Sequence, residues 1–129
     1  MAQVKVYGNK SFLEVSKIPL SDLIHECIVE ILKFPQDKRY HRFISLESAD
    51  FIYPVEKSEK YIVIEILMMS GRERETKKLL IKELFKRISE NLQMTTSDIE
   101  ICIIESDPAN WGFRGMTGDE IKLNYSIKV

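Results

Sequence analysis

The fold is decided by residues 61–73, which read YIVIEILMMSGRE. Up to Met69 this stretch is almost continuously apolar and rich in β-branched side chains, which predicts a central strand buried on both faces of a sheet. Ser70 is followed three residues later by Glu73, the spacing of a capping box, so a helix is expected to begin there. A strand that leads directly into a helix is the first part of a β-α-β unit.

The residues that follow complete this unit. Apolar side chains recur at helical spacing through residues 80–92, which predicts one amphipathic helix. Isoleucines then alternate with other side chains over residues 99–103, which predicts the second strand of the unit. The region from residue 60 to residue 105 therefore has the order β-α-β.

An earlier region has the same order. It contains a short strand at residues 3–7 and a strand at residues 40–46, with apolar residues at helical spacing between them. Pro19 suits a first helical turn and Pro35 suits a helix end, so the helix is expected to lie between these two prolines. The predicted fold is of the α/β (α+β) class, a duplicated β-α-β arrangement whose two helices cover a four-stranded sheet.

The last part of the chain has a different pattern. Residues 111–119 are rich in glycine and aromatic side chains, and over residues 122–129 polar and apolar residues alternate strictly. Such alternation predicts a half-buried strand and a C-terminal β-hairpin, and the strand could pair with a neighbouring subunit. The predicted organisation is a single domain, residues 1–129, with a first half (1–54), a second half (60–105) and a C-terminal hairpin or tail (106–129).

Composition excludes several classes of protein. The chain has 129 residues, a formal net charge of −1 and interspersed basic and acidic residues, which gives no overall attraction to nucleic acid. No apolar run approaches the roughly 20 residues that cross a bilayer, so no membrane partner is expected. Cys27 and Cys102 fall at apolar-patterned positions, and we expect two buried free thiols, no metal site and a cytoplasmic location.

Two motifs resemble the tautomerase superfamily. Ser70-Gly71-Arg72 is similar to the turn that leads into the second helix of that family, and residues 108–115 resemble the Asn-Trp-Gly-x-Arg-Gly segment of its malonate semialdehyde decarboxylase-like branch. Length and element order agree across nearly the whole chain. The resemblance is greatest to bacterial members that lack the N-terminal proline.

The resemblance implies a homotrimer with active sites near the subunit boundaries and no cofactor. It also implies an N-terminal proline that acts as the general base or acid, and without gaps that position falls on Ala2. The Met1 amine is a second candidate, one residue out of register. Desolvation and nearby positive charge would favour a neutral amine in such a site.

Arginine and aromatic residues are the candidates for substrate binding. A guanidinium group can bind a carboxylate through two parallel hydrogen bonds, and the resemblance points to the turn before the second helix. The candidate binding residues are Arg72, Arg74, Arg39, Trp111 and Arg114. For each a structural role stays open: a helix-start residue reaching into solvent for Arg72, solvated charges for Arg74 and Arg39, packing for Trp111, and an intersubunit ion pair for Arg114.

Three functions follow from these expectations. The first is a tautomerase-like protein that binds a small carboxylate or an enol or keto acid, with weak or no proton transfer because the proline is absent. The second is an active tautomerase or decarboxylase, an isomerase or lyase that uses a base other than proline. The third is a non-catalytic trimeric interaction protein.

Overall fold

The protein is described by a computed structural model that covers residues 2–129. The elements run in the order β1 (Ala2–Asn9), α1 (Lys10–Leu32), β2 (His41–Leu46), β3 (Ile62–Met69), α2 (Arg74–Leu92) and β4 (Ile99–Ser106). A short antiparallel hairpin follows, made of β5 (Gly112–Phe113) and β6 (Met116–Thr117). The predicted duplicated β-α-β fold with a hairpin after the second half is confirmed.

The four long strands form one sheet in the order β2-β1-β3-β4. Within each half the two strands are parallel, and the halves meet where β1 pairs antiparallel with β3. The β1–β3 register places Val6 opposite Ile64, and both are fully buried with the inner sides of α1 and α2 in one core. Both helices therefore cover the same face of the sheet. No helix within residues 2–129 is long and apolar enough to cross a membrane.

Because the helices share one face, β3 is fully buried on that side alone. Ile62, Ile64 and Ile66 are inaccessible, whereas Val63 and Leu67 on the opposite face are only half-buried. The expectation of a strand buried on both faces is thus wrong for the single chain. The same geometry exposes Cys102, which points away from the helices on the edge strand β4, while Cys27 is a buried free thiol as expected.

Helix α1 begins nine residues before Pro19, at Lys10, so the predicted helix start is wrong. Pro19 lies inside the helix on its exposed side. Proline removes one backbone hydrogen bond, but here the carbonyl group it leaves free belongs to the exposed Val15 and can be solvated. Burial of Leu13 and Leu20 on the inner side holds the two parts of the helix together.

The predicted capping box at Ser70 is also wrong. The Ser70 N–H group donates to the Ser106 carbonyl over 2.9 Å, so Ser70 still belongs to the end of the β3–β4 ladder. Gly71 then turns the chain with a φ of 136°, a value that favours glycine. Helix α2 starts later, with Glu73 at its N-cap, and Arg72 lies in the turn between the sheet and the helix.

The predicted last strand does not form, although the alternation that suggested it is real. Residues 121–129, here called the C-terminal segment, place alternate side chains against the protein: Ile121, Leu123, Tyr125, Ile127 and Val129 are half-buried and the residues between them are exposed. No strand of residues 2–129 pairs with this segment. An extended chain keeps the two-residue period even without a ladder of hydrogen bonds.

Candidate functional site

Arg72 is a buried charged residue whose side chain has unpartnered nitrogens in the described part of the chain. Its side chain is only 4% exposed, and its Nη1 donates a hydrogen bond of 3.3 Å to the carbonyl oxygen of Met69. Its Nε and Nη2 atoms are buried and have no hydrogen-bond partner within residues 2–129. These two nitrogens lie along one edge of the planar guanidinium group, the edge that can hold both oxygens of a carboxylate at once.

Burial and neighbouring acidic groups act on the pKa of Arg72 in opposite directions. Burial lowers the pKa of the Arg72 guanidinium, and the neighbouring Tyr125 and Glu105 act in the opposite direction. Burial also raises the pKa of the Tyr125 phenol, while the positive charges of Arg72 and Arg114 oppose that rise. The site thus combines a desolvated cation with a phenol that is a poor base at neutral pH.

The C-terminal segment covers this part of the molecule. Ile127 packs against Gly71, since a Cβ atom on that glycine would lie 3.2 Å from Ile127 Cδ1. The Glu73 N–H group donates to the Val129 oxygen over 2.9 Å, and the Tyr125 ring meets the Phe34 ring edge to face with centroids 5.1 Å apart. A cleft of about 400 Å³ lies beside the segment and is lined by Met69, Pro108, Gly118, Asp119 and residues of the segment.

The start of β1 lies at the same end of the sheet as Arg72. Ala2 is 3% exposed and pairs with Met68, the residue before the Met69 carbonyl that accepts the Arg72 hydrogen bond. The structure therefore places Ala2 and Arg72, two of the predicted candidates, at one end of the sheet. It does not test the role that was predicted for either residue. Met1, the other candidate amine, lies outside the described residues.

The hairpin that contains Trp111 folds back onto the same end. Trp111 is half-buried, and its Nε1 donates to the carbonyl oxygen of Ser106 over 3.3 Å. Gly118 donates to the Trp111 carbonyl over 2.7 Å and needs to be glycine, because a Cβ there would clash with the Pro108 carbonyl oxygen. Met69 also contacts this position through its Cε atom. Trp111 is thus joined to the Arg72 end of the sheet through Met69 and Gly118.

The other three candidate arginines lie in different surroundings. Arg114 is exposed at the hairpin turn with a φ of 57°, and its guanidinium carbon lies 5.7 Å from the centre of the Phe113 ring. Arg74 is the exposed first residue of α2. Arg39 forms an ion pair of 2.6 Å with Asp22 and lines a separate cleft along α1. Of the predicted binding residues, Arg72 alone has a buried, unoccupied hydrogen-bonding edge.

Tyr125 and Phe34 also belong to this region, although the sequence did not indicate it. The alternation of residues 121–129 identified Tyr125 as a buried position, but it gave no information on which part of the chain Tyr125 would contact. Phe34 stood at the end of a predicted helix and had no signal beyond its apolar character. Their contact joins the region after α1 to the C-terminal segment, two parts of the chain that are distant in sequence, and could be found only from the fold.

Known proteins that are similar to this chain have the same fold, and they also identify its family. A family model described as "Tautomerase enzyme" matches residues 38–114. The chain is 25% identical over 118 residues to the probable tautomerase YusQ of Bacillus subtilis (strain 168), covering 88% of this chain and 93% of that protein.

Solved structures of the same fold are more distant in sequence. The chain resembles FG41 malonate semialdehyde decarboxylase inhibited by 3-bromopropiolate with a TM-score of 0.79 and 19% identity, over 94% of this chain and 98% of the other. It resembles native fused 4-OT with a TM-score of 0.80 and 18% identity, over 92% and 98% of the two chains. At these identities the likeness shows the fold alone. The family model, however, matches more than half of the chain, and on that ground the chain belongs to the tautomerase enzyme family.

Proposed function

We propose that this protein binds a small carboxylate, that of an enol or keto acid, through Arg72. The observation that carries the proposal is the pair of buried, unpartnered nitrogens on one edge of its guanidinium group. A carboxylate would accept two parallel hydrogen bonds from this edge, which is the strongest and most specific pairing that arginine makes.

The energetic cost of the two unpartnered nitrogens of Arg72 favours a ligand over a purely structural role. A buried donor without a partner costs about 1–3 kcal/mol, and more when the group is charged. The bond to Met69 uses Nη1 alone, so a structural role would leave the cost of Nε and Nη2 without compensation. A bound anion would supply both the missing acceptors and the opposite charge.

Proton transfer is proposed to be weak or absent. Alanine has no titratable side chain, so Ala2 can contribute only a backbone amine, and only after removal of Met1. The Tyr125 phenol, with its raised pKa, is a poor general base at neutral pH because efficient bases have a pKa near the working pH. An active tautomerase or decarboxylase with another base is the alternative, and the family membership favours it.

The assembly is proposed to be a homotrimer. The sheet face opposite the helices carries half-buried apolar side chains, among them Ile44, Val63 and Leu67, and both edge strands β2 and β4 have one unpaired side. Fused 4-OT, a protein of the same fold, is described as a trimer. Burial of the sheet face and edges between subunits would remove this apolar surface from water.

A non-catalytic interaction protein is the third candidate. It would be favoured by arginines that are paired with acids, and Arg39 is paired in this way with Asp22. Arg72 has no acidic hydrogen-bond partner within residues 2–129, which favours a ligand site.

Isothermal titration calorimetry with pyruvate tests the proposal. We expect weak binding of pyruvate to the wild type and unchanged binding to the matched control Arg74→Lys. Arg72→Lys keeps the positive charge but cannot form two parallel hydrogen bonds with a carboxylate, so binding should be lost in that variant. Equal binding by the wild type and Arg72→Lys would overturn the assignment.

A further inference from the structure

We infer that the C-terminal segment, residues 121–129, is a gate over Arg72 and that Ile127 holds this gate shut. The inference rests on the proposed carboxylate site and adds how a ligand reaches it. The structure shows the closed state, because Arg72 is 4% exposed and its Nε and Nη2 atoms are inaccessible to solvent. A carboxylate oxygen must come within about 2.7–2.9 Å of these nitrogens. Some covering part must therefore move.

The C-terminal segment is the part of the cover that is least firmly attached. Within residues 2–129, the one backbone hydrogen bond that joins it to the rest of the fold runs from the Glu73 N–H group to Val129. Met69 and Glu105, two other neighbours of Arg72, belong to β3 and β4, which pair along their whole length. Elements with few backbone hydrogen bonds open locally at the lowest free energy.

Ile127 is the side chain whose packing would keep the C-terminal segment closed. It fills the space beside Gly71, the residue directly before Arg72, and the absence of a glycine side chain allows this close approach. Tyr125 provides a second attachment through its ring contact with Phe34. Lys128, which lies between Ile127 and the end of the segment, is exposed and makes no side-chain hydrogen bond or ion pair in the described chain.

A gate of this kind lowers the apparent affinity of the site. The ligand binds only the open fraction, so the apparent Kd is the intrinsic Kd divided by that fraction. Truncation of Ile127 should raise the open fraction and expose the guanidinium group, whereas truncation of Lys128 should not.

Chemical modification measures this exposure without any carboxylate ligand. Phenylglyoxal, a dicarbonyl that reacts with accessible guanidinium groups, is applied to the full-length protein, and the modified arginines are mapped by mass spectrometry. In the wild type we expect Arg72 to react far more slowly than the exposed Arg74. In Ile127→Ala the Arg72 rate should rise on the order of tenfold, with the Arg74 rate unchanged, and Lys128→Ala should match the wild type.

Hydrogen exchange at the Glu73 amide reports segment opening in the same samples. Faster Glu73 exchange in Ile127→Ala with an unchanged Arg72 rate would overturn the inference, as would a wild-type Arg72 that reacts as fast as Arg74. Tyr125→Ala is a second opening variant, with the same expected result, if Ile127→Ala does not fold.

A last measurement distinguishes failure of the proposed gate from failure of the proposed carboxylate site. Pyruvate should protect Arg72 from phenylglyoxal in Ile127→Ala. Accelerated modification without protection would establish the gate and overturn the carboxylate site. Protection without acceleration would support the site and overturn the gate.

Discussion

The hydroxyl of Ser21 on α1 lies 2.7 Å from Nδ1 of His41, the first residue of β2. Arg39 donates to the same hydroxyl over 3.4 Å, so the Ser21 proton is free to point at His41 and the neutral ring carries its own proton on Nε2. Burial lowers the pKa of His41 to about 4, and the charges of Arg39 and His25 act in the same direction, while Asp22 opposes them. At neutral pH the contact between helix and sheet is therefore made by a neutral His41.

The first prediction is a loss of stability in mild acid. Above pH 6.5 His41 is neutral in both the folded and the unfolded chain; as the pH falls from 6.5 to 4, only the unfolded chain takes up a proton readily. The free energy of unfolding should fall by roughly 3 kcal/mol across this window. Urea unfolding at several pH values measures it. His41→Asn, which keeps an acceptor near Ser21, should flatten the dependence, and an equal slope in both proteins would refute the prediction.

The second prediction is that Arg72 lowers the stability of the free protein. Arg72→Met replaces a buried, partly unsatisfied cation with an apolar side chain of similar length. A buried donor without a partner costs about 1–3 kcal/mol, and the variant no longer has these donors, so the urea midpoint of the ligand-free variant should equal or exceed that of the wild type. A clear loss of stability would mean that Arg72 is mainly a structural residue.

The third prediction concerns assembly through the exposed sheet face. Leu67 lies on that face opposite Gln3 of the neighbouring strand, so Leu67→Lys should place charge inside the proposed interface and yield a folded monomer. Ile18→Lys on the helical side, where Ile18 is 68% exposed, is the control and should leave the trimer intact. Light scattering coupled to gel filtration gives the molar mass. A wild type that stays monomeric at micromolar concentration would count against the trimer.

The fourth prediction concerns the proposed lack of a proline base. Ala2→Pro should still permit removal of Met1 and would provide a secondary amine at the start of β1. Proton transfer by a positioned group contributes roughly 10²–10⁴-fold, so ketonisation of enol-phenylpyruvate should rise clearly above the wild-type rate. Ala2→Ser, which also permits removal of Met1, should show no gain, and Arg72→Lys in the proline variant should abolish it. Mass spectrometry confirms the processing; a processed, folded proline variant without activity would show that the pocket itself is not competent.

The sequence predicts the regular elements well where local pattern and tertiary packing agree. The apolar run of β3 and the periodicity of α2 identified the second β-α-β half, and the patterns of residues 3–46 identified the first. Pro19 misled the helix start because its effect depends on whether the carbonyl group it frees faces solvent, which periodicity does not reveal. Ser70 misled the second helix start because its N–H group pairs with Ser106, a partner distant in sequence.

The candidate site was predicted only in part for the same reason. The resemblance singled out Arg72, but the sequence presented the C-terminal segment as a strand of its own and did not place it against Gly71, the residue before Arg72. The alternation of that segment is correct for which side chains face inward, and it carries no information about the surface they face. The contact of Ile127 with Gly71 and that of Tyr125 with Phe34 are therefore properties of the folded chain.

The carboxylate site is tested most directly by the side-chain Nε–H resonance of Arg72. This group is buried without an acceptor in the free protein, and a bound carboxylate would give it one. In a ¹H–¹⁵N spectrum during titration with pyruvate, we predict that the Arg72 Nε–H signal moves downfield and saturates, while the exposed Arg74 signal stays in place. An Arg72 signal that does not change at pyruvate concentrations where other resonances saturate would contradict the account.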